Sequence, residues 1–431
     1  MKCDEELFLK TLFGAWAGNG VNYAVMRNAD CLPSTLNGGD VDVLIGEGMD
    51  ANAIATMQEV ARRCGGKIVA QMKAPHFIQT ELMGCVGGKW WGCCIDLFDG
   101  VYVKSVLPIA GESLLARRLD NGKGVWTLSR DLGHYLGFVK ELLVAGKRSS
   151  RYEEGAGRTI AAGQDDVLFS NSCRAFIRKA YSEGQTSART FVYSWMVGMA
   201  FRHPVIFFRD YLGFVFSRVI RYFKPCGRMI AVLGTDGSGK STLLNEVIPL
   251  IKTMTHGSTV VHHLKPDLLP PLGRLRGIKY EPGHVCTDPH GSKPSGFIGS
   301  LLRITYLTID YVLGYWLKVR VKIAKTPIAY WIFDRYAYDM LLDPRRFRIQ
   351  LPNWIIKAYL FFIPRPDLVI CLGGDPEKIY ARKPETSLKE VSRQVKQLKA
   401  FAEENKNAIW IDTTTMLDVS ATCFLEGLMS L

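Results

Sequence analysis

The residues best suited to chemistry in this chain form one glycine-rich run, GTDGSGKST, from Gly234 to Thr242. Its spacing fits the phosphate-binding loop GxxxxGK[ST], in which glycines let successive backbone N–H groups point at phosphate oxygens. We expect Lys240 to neutralise the β and γ phosphates of ATP and the Ser241 hydroxyl to ligate magnesium. The expected nucleotide-binding residues are Gly234, Thr235, Asp236, Gly237, Ser238, Gly239, Lys240, Ser241 and Thr242.

A second group of candidate residues lies at the end of the apolar run YWIFD, where Asp334 is followed by Arg335. Open α/β folds bind ligands at the carboxyl ends of their strands, which is where this pair is predicted to lie. We expect Asp334 to hold magnesium through water or to orient an acceptor, and Arg335 to contact a transferred phosphoryl group or an acceptor phosphate. A structural salt bridge is the alternative interpretation of the pair.

Three carboxylates form a candidate metal site nearer the N-terminus. Asp40 and Asp42 lie two residues apart in GGDVDVLI, so a strand would place both side chains on one face. Such a pair can chelate a divalent cation and hold a nucleoside triphosphate. Asp96, in the later run CCIDLF, is the expected third ligand. An acidic pair beside a turn, with no metal, is the alternative.

The C-terminal motifs together resemble those of thymidylate kinase-like proteins. GTDGSGKST, FDRY and PDLVICLGGDPEKIYARKPE are similar to the P-loop, the DR(Y) motif and the strand plus basic lid of that family, over about residues 228–431. The resemblance implies transfer of the ATP γ-phosphoryl group to a phosphate or hydroxyl acceptor. It also implies that Asp236 lies near the acceptor. The catalytic and additional phosphate-binding residues it implies are Lys240, Asp334, Arg335, Arg382 and Lys383.

The segments expected to recognise the acceptor differ from those of thymidylate kinases. HHLKPDLLPPLG and LLRITYLTIDYVLGY stand where that family carries its acceptor-binding arginines. His262–Pro266, Asp288–His290 and Asp343–Arg348 instead resemble a thymidylate kinase-like branch that occurs with bacterial surface polysaccharide biosynthesis. The acceptor therefore stays open between a nucleoside monophosphate, such as thymidine monophosphate, and a sugar, polyol or glycan phosphate. The arginines of DPRRFR suit an anionic acceptor, with a solvated basic loop as the alternative.

The N-terminal aspartates, with Arg27 and YAVMRNADCLP before them, resemble the nucleotidyltransferase fold of the polymerase β type. The resemblance covers about residues 21–147. That family usually places a Gly-Ser pair ahead of its two aspartates to hold phosphate, and here Arg27 and Asn28 occupy the comparable region. A nucleotidyltransferase and a non-enzymatic, membrane-associated nucleotide switch are the two alternatives to the kinase.

Composition limits the partners and the compartment. A net charge of +13 favours acidic partners, yet no motif specific for nucleic acid is present. Eleven cysteines lack metal-ligand or disulfide spacing, which is typical of reduced cytoplasmic thiols. An acidic N-terminus argues against a signal peptide, and no uninterrupted apolar run reaches roughly 18 residues. We expect a cytoplasmic protein, soluble or peripheral at the inner membrane surface, and leave a homodimer open.

The order of strand-like and helix-like runs predicts an α/β protein of more than one domain. We expect a P-loop NTPase parallel sheet with helices on both faces over 228–431, preceded by a smaller nucleotidyltransferase-like α/β domain over 1–150. A helical linker, rich in aromatic and basic residues, is expected over 151–227. The segment 151–163 lacks apolar periodicity and marks the boundary. Residues 190–224 are interpreted as a packed helix pair or as a surface that inserts into anionic lipid.

Overall fold

The computed structural model describes residues 5–36, 39–103, 106–167, 170–183, 188–270, 293–326 and 328–431. The chain divides into two compact units. The N-terminal unit comprises Lys2–Phe223 with Thr253–His256, and the C-terminal unit comprises Lys224–Lys252 with Gly257–Leu431. Both units combine a central sheet with helices, so the predicted α/β class is confirmed.

The N-terminal unit is built on a mixed sheet of seven strands in the order β3-β4-β5-β2-β1-β9-β8. The strands β2 and β5 are parallel neighbours, whereas β3, β4 and β5 form an antiparallel meander. A separate antiparallel pair joins β6 and β7. The strands are β1 Tyr23–Val25, β2 Val41–Ile45, β3 Gly66–Ala74, β4 Phe77–Val86, β5 Lys89–Phe98, β6 Gly100–Val103, β7 Val106–Ala110, β8 Leu119–Asp120 and β9 Trp126–Thr127.

Helices cover both faces of this sheet. Successive residues of β2 point to opposite faces, so Val43 packs in one hydrophobic cluster and Leu44 in the other. The π-helical turn Glu141–Ala145 and the 3-10 turn Gln164–Val167 join consecutive helices. The α-helices are Glu6–Gly18, Asp50–Arg63, Gly111–Leu115, Arg130–Lys140, Ser150–Ala161, Asn171–Glu183, Ala188–Arg202 and Pro204–Phe223.

The helices between residues 150 and 202 share the core of the N-terminal unit. Ala156, Ile177 and Val192 pack in the same cluster as Leu44. The segment 151–163, which lacks apolar periodicity in the sequence, is largely the helix Ser150–Ala161. The residues of its buried face follow the helical spacing i, i+3, i+4 and i+7. Because most of them are small rather than strongly apolar, the sequence shows no apolar periodicity here. Those residues are Tyr152, Gly155, Ala156 and Thr159.

The C-terminal unit is built on a five-stranded sheet in the order β11-β12-β10-β13-β14. All four neighbouring pairs are parallel, as the sequence predicts. The carboxyl ends of the strands therefore meet at one edge, where Gly234, Asp334 and Asp412 lie. The strands are β10 Arg228–Gly234, β11 Val260–His263, β12 Tyr330–Asp334, β13 Leu368–Gly373 and β14 Ala408–Asp412.

Helices lie on both faces of the parallel sheet. Tyr311 and Leu398 pack with Val369 on one face, and Gly427 approaches Leu368 and Ile409 on the other. The helices are Lys240–Met254, Phe297–Gly314, Arg320–Lys325, Asp339–Leu342, Asn353–Phe362, Pro376–Arg382, Leu388–Glu404 and Leu417–Met429, with a π-helical turn at Tyr315–Val319.

One continuous helix, Phe297–Lys325, is 29 residues long and apolar enough by composition to cross a membrane. Its sequence is interrupted by Arg303 and Asp310, so a search for unbroken apolar runs passes over it. Ile304, together with Leu307 and Tyr311 on the same face, packs in the core of the C-terminal unit. One face of this helix is therefore buried in the core of the C-terminal unit.

Candidate functional site

The glycine-rich loop follows β10 directly, and two of its glycines, Gly234 and Gly237, are packed too closely for a side chain. Gly237 and Gly239 have φ values of 82° and 79°, in the left-handed region that favours glycine. A Cβ on Gly237 would lie 2.7 Å from the carbonyl oxygen of Ile379. A Cβ on Gly234 would lie 2.4 Å from the Ser238 hydroxyl. The helix that begins at Lys240 completes the predicted strand–loop–helix arrangement.

Lys240 is a buried cation at the centre of this loop. Its Nζ donates hydrogen bonds to the carbonyl oxygens of Gly234, at 2.9 Å, and Thr235, at 2.8 Å. Burial and the positive charge of Arg335 lower the pKa of Lys240 to about 8. The side chain therefore stays mainly protonated at neutral pH while being poorly solvated, which strengthens its attraction for a phosphate anion.

A cavity of about 910 Å³ opens at this edge of the sheet. It brings together most of the predicted catalytic and phosphate-binding residues. Gly234, Thr235 and Ser238 belong to the buried part of the loop instead. The lining residues are Asp236, Gly237, Gly239, Lys240, Ser241, Thr242, Leu243, His263, Asp334, Arg335, Arg346, Arg382, Lys383, Glu385, Thr413, Thr415, Leu417 and Ser420.

Asp334 ends β12 between Val232 of β10 and His263 of β11, its register neighbours. His263 Nδ1 lies 3.6 Å from Asp334 Oδ2, while Asp334 Oδ1 is buried and has no hydrogen-bond partner among the described residues. Burial opposes ionisation of Asp334, but His263 and Lys240 outweigh it and hold its pKa below the usual value. Ser241 lines the same cavity. A buried carboxylate oxygen without a partner in the ranges described and a hydroxyl in one cavity are donors that fit magnesium.

Asp236 connects the P-loop to two arginines from later elements. Arg335 donates to its Oδ1 and Arg346 donates to its Oδ2. The two guanidinium groups overcome the effect of burial and hold the pKa of Asp236 below its usual value. The acidic residue within the loop is therefore an anion that positions two cations at the cavity.

Arg335 is fixed by its backbone as well as by its side chain. Its φ is 74°, an uncommon conformation for a residue with a side chain, and its N–H donates to the carbonyl oxygen of Val232 at 2.9 Å. Its Nη1 donates to Asp339 Oδ2 at 3.3 Å, so its ion-pair partners are Asp236 and Asp339. Asp339 was missed from the sequence, although its i,i+4 spacing from Arg335 is a detectable signal.

The sequence motifs for the acceptor contribute unequally to the cavity. Arg346 lines it, whereas Arg345 lines a separate pocket and Arg348 donates to the carbonyl oxygen of Lys293 at 3.1 Å. His263 lines the cavity, whereas His262 stacks on Trp331 with 4.6 Å between ring centroids, and burial lowers its pKa. The segment Asp288–His290 lies outside the described residues.

The segment expected as a lid lies directly against the P-loop. Arg382 ends its helix and donates from Nη1 to the carbonyl oxygen of Thr413 at 3.0 Å. Lys383 pairs with Glu385 at 2.9 Å, and its Cβ would lie 3.1 Å from a Cβ on Gly237. The hydroxyl groups of Thr413, Thr415 and Ser420 were not predicted, although the threonine run directly after β14 is a signal for them.

The N-terminal unit brings its three predicted metal ligands together. Asp42 and Asp96 are register neighbours on the parallel strands β2 and β5, and Asp40 precedes β2. One ligand oxygen from each lies within 4.8 Å of the other two. Burial and the other two carboxylates raise the pKa of Asp96 to about 7, and burial and Asp42 raise that of Asp40. Such crowding of like charges is relieved by a bound cation.

Arg27 is already paired with this cluster. Its Nε donates to Asp42 Oδ2, and its Nη1 donates to the Tyr152 hydroxyl at 3.3 Å. The other oxygen of Asp42, Oδ1, is buried and has no hydrogen-bond partner among the described residues. A divalent cation would satisfy that oxygen, so the site fits a metal. Sequence reasoning missed Tyr152, which lies 125 residues from Arg27.

Comparison with known proteins gives likeness to solved structures alone. No protein-family model matches the chain, and no curated protein matches it in sequence. Among solved structures, a thymidylate kinase from Ehrlichia chaffeensis is similar over 47% of this chain and 98% of its own, with 12% sequence identity and a TM-score of 0.32.

Proposed function

We propose that the C-terminal unit is an ATP-dependent phosphotransferase acting on a small anionic or hydroxylated acceptor. A P-loop alone serves ATPases, GTPases and switches as well as kinases. The observation that carries the proposal is the pairing of Asp236, a P-loop residue, with both Arg335 and Arg346. These arginines place fixed positive charge at the cavity that holds Lys240, where it suits a phosphoryl group in transfer or an acceptor phosphate.

Each residue takes its role from its position. The loop amides and Lys240 would hold the donor phosphates. Arg335 would contact the transferred group, and Arg346 the acceptor. Arg382 and Lys383, beside the loop, would close over the phosphates. The chain's own contribution to catalysis is then positioning and charge neutralisation, which dominate phosphoryl transfer.

In the proposed reaction an acceptor oxygen attacks the γ phosphorus in line. The bond between that phosphorus and the oxygen bridging to the β phosphate breaks, and ADP leaves. Magnesium held by Ser241 and Asp334 would supply charge neutralisation on the triphosphate. Asp236 keeps Arg335 and Arg346 in place before either substrate arrives, which reduces the reorganisation needed for transfer.

The acceptor is proposed to carry negative charge because Arg346 reaches the cavity from outside the P-loop. A nucleoside monophosphate such as thymidine monophosphate, or a sugar or polyol phosphate of surface polysaccharide biosynthesis, has this property. A volume of about 910 Å³ lies at the upper end of the range typical of ligand pockets, which suits two substrates bound together.

An acceptor screen with γ-labelled ATP tests the proposal. Phosphorylated nucleosides, sugars and polyols, thymidine monophosphate included, are each incubated with the full chain, ATP and magnesium. We expect one class to become labelled and to stimulate ADP formation. Lys240→Ala should lower the rate of transfer by about 10²- to 10³-fold, whereas Lys252→Ala, which changes an exposed lysine on the same helix, should leave it unchanged. Full transfer in Lys240→Ala would refute the assignment.

The N-terminal unit supports a second candidate function, metal-dependent nucleotidyl transfer. The observation that favours it is the convergence of Asp40, Asp42 and Asp96, together with a buried Asp42 oxygen that has no hydrogen-bond partner in the described part of the chain. Carboxylates so placed suit a divalent cation that binds a triphosphate. On this proposal an acceptor oxygen attacks the α phosphorus of a nucleoside triphosphate and takes the nucleotidyl group. The bond from that phosphorus to the oxygen bridging to the β phosphate breaks, and pyrophosphate leaves.

Manganese titration and a pyrophosphate assay separate this candidate from the kinase. Asp42→Asn should weaken manganese binding and stop pyrophosphate release, while Lys240→Ala should leave both intact. Glu47→Gln changes an exposed acidic residue just after β2 and provides the matched control. Pyrophosphate release that survives Asp42→Asn would exclude the aspartate cluster as its source.

A further inference from the structure

The helix Pro204–Phe223 has an unusual distribution of polarity for a soluble protein. Its inward face carries Asp210 and Arg221, both buried, together with Gly213 and Ser217. Asp210 accepts from His76 Nε2 at 3.1 Å, and a Cβ on Gly213 would lie 2.9 Å from a ring carbon of Pro75. Polar and close backbone contacts, rather than a buried apolar stripe, therefore hold much of this helix against the N-terminal unit.

The outward side of the same helix is apolar along its whole length. Phe208, Leu212 and Phe216 are 53%, 61% and 65% exposed. The preceding helix, Ala188–Arg202, continues the surface. We call this set the apolar face; it comprises Tyr193, Val197, Phe201, Val205, Ile206, Phe208, Leu212, Val215, Phe216, Val219, Ile220 and Phe223.

The charges around the apolar face are of one sign. Over residues 188–224 the sequence contains six lysine and arginine residues and one acidic residue, Asp210, which is buried. Arg202 and Arg218 are exposed, and the Arg218 guanidinium lies 4.5 Å from the centre of the Phe214 ring. Exposed phenylalanines and arginines are thus interspersed on this surface, and within this range no exposed carboxylate balances the positive charge of the arginines.

We propose that the apolar face binds an anionic lipid surface in a peripheral, non-spanning manner. A helix with aromatic and aliphatic side chains on one side and arginines beside them inserts shallowly at the boundary between headgroups and acyl chains. Arginines near anionic headgroups then add favourable electrostatic energy. A second copy of the chain is a poorer occupant, because a two-fold contact would bring the same cationic face against itself.

The length and attachment of the helix Pro204–Phe223 determine how the apolar face is oriented. Twenty residues of helix span about 30 Å, so the apolar face is a long ridge that can lie in the membrane plane. Asp210, His76 and Asp99 form a chain of contacts from the helix to the sheet, with His76 Nδ1 lying 2.8 Å from Asp99. The ridge is consequently anchored to the N-terminal unit while its apolar side stays outward.

Sedimentation of the full chain with lipid vesicles tests the proposal. We expect binding to phosphatidylcholine vesicles that contain phosphatidylglycerol, weaker binding to phosphatidylcholine alone, and weakening with added salt. The variant Arg202→Glu/Arg218→Glu should bind anionic vesicles at least about 25-fold more weakly. The control Lys389→Glu/Lys396→Glu makes the same charge change on another exposed helix and should retain binding.

A second variant pair tests the apolar contribution. Phe208→Ser/Leu212→Ser/Phe216→Ser should lose binding without a loss of thermal stability, because the side chains are exposed. Trp354→Ser/Phe361→Ser/Phe362→Ser, which changes three more exposed side chains in the C-terminal unit, should still bind. Equal binding to neutral and anionic vesicles, retained binding in the glutamate variant, or loss in either control would overturn the proposal. A dimer in sedimentation velocity that the first serine variant dissociates would identify a second copy as the occupant.

Discussion

Asp236 and Arg346 are 110 residues apart in the sequence, and they form an ion pair at the glycine-rich loop 234–242. Arg335 completes the arrangement from the other carboxylate oxygen. The loop that we propose to hold the donor is therefore joined directly to Arg346, the residue that we propose to contact the acceptor. Substitution of Arg346 is therefore a more specific test of acceptor binding than substitution within the loop.

Replacing Arg346 should affect the acceptor more than ATP. We expect Arg346→Ala to raise the acceptor KM by roughly 10- to 100-fold, the loss of a charge-assisted pair, while the KM for ATP changes little. Steady-state kinetics with each substrate varied in turn measure the two effects. Arg345→Ala is the matched control, since Arg345 lines a different pocket. An equal effect of both variants would indicate that the loop's overall charge, rather than Arg346, binds the acceptor.

Lys240 should contribute chiefly to the chemical step. Because it is buried beside the loop carbonyls, its loss removes a preorganised cation, and we expect Lys240→Ala to lower kcat by about 10²- to 10³-fold. Rapid-quench measurement of a single turnover separates this loss from product release. A variant that binds ATP normally and turns over at the original rate would contradict the role.

Gly237 should tolerate no side chain. Gly237→Ala combines left-handed backbone strain with a contact to the Ile379 carbonyl oxygen, and we expect a cost on the order of 1–3 kcal/mol together with weaker ATP binding. Calorimetric melting and ATP titration measure both effects. Gly257→Ala provides the comparison, because Gly257 has a φ of 72° but no atom within 4 Å of an added Cβ. Similar loss of ATP affinity in both variants would count against a specific role for the loop contact.

His76 should make the attachment of the helix Pro204–Phe223 dependent on pH. Burial opposes its protonation, but Asp99 and Asp210 outweigh that effect and raise its pKa above the ordinary value. A group whose pKa is higher in the folded than in the unfolded protein stabilises the folded state. This stabilisation is fully present below the unfolded pKa, about 6.5 for histidine, and is lost as the pH rises through the folded pKa. We therefore expect the helix to be less protected at alkaline pH.

Hydrogen exchange of peptides from residues 204–223, corrected for intrinsic rates, measures this effect at about pH 5.5 and about pH 8.5. The variant His76→Asn suits the residue's φ of 63°, since asparagine tolerates that conformation, and it should remove the pH dependence. Persistence of the same dependence in His76→Asn would locate its source in another group.

The sequence was sufficient for features governed by local pattern. The P-loop spacing predicts the turn between β10 and its helix, and the apolar runs predict the parallel sheet that brings Asp334 beside it. The proximity of Asp42 and Asp96 was also predictable from the sequence. Both lie on predicted strands, and the alternation of side chains along a strand shows which face each occupies.

Long-range partners could not be predicted in the same way. Nothing in DPRRFR distinguishes Arg346 from Arg345, since the path of the loop in space decides which guanidinium reaches Asp236. The small buried residues of Ser150–Ala161 conceal a helix that burial and close packing stabilise. The outward apolar side of Pro204–Phe223 required knowledge of which face contacts the sheet.

The position of Asp236 within the loop has a thermodynamic consequence. Arg346 is paired with Asp236, so an acceptor that draws Arg346 toward itself must compete with that carboxylate. Because Asp236 belongs to the loop proposed to hold ATP, we expect binding of the acceptor to change the affinity for ATP. Linkage requires that whatever factor the acceptor applies to ATP affinity, ATP applies to acceptor affinity. The two proposed substrates are therefore expected to bind cooperatively. Calorimetric titration of ATP with and without the acceptor would show whether the cooperativity is positive or negative.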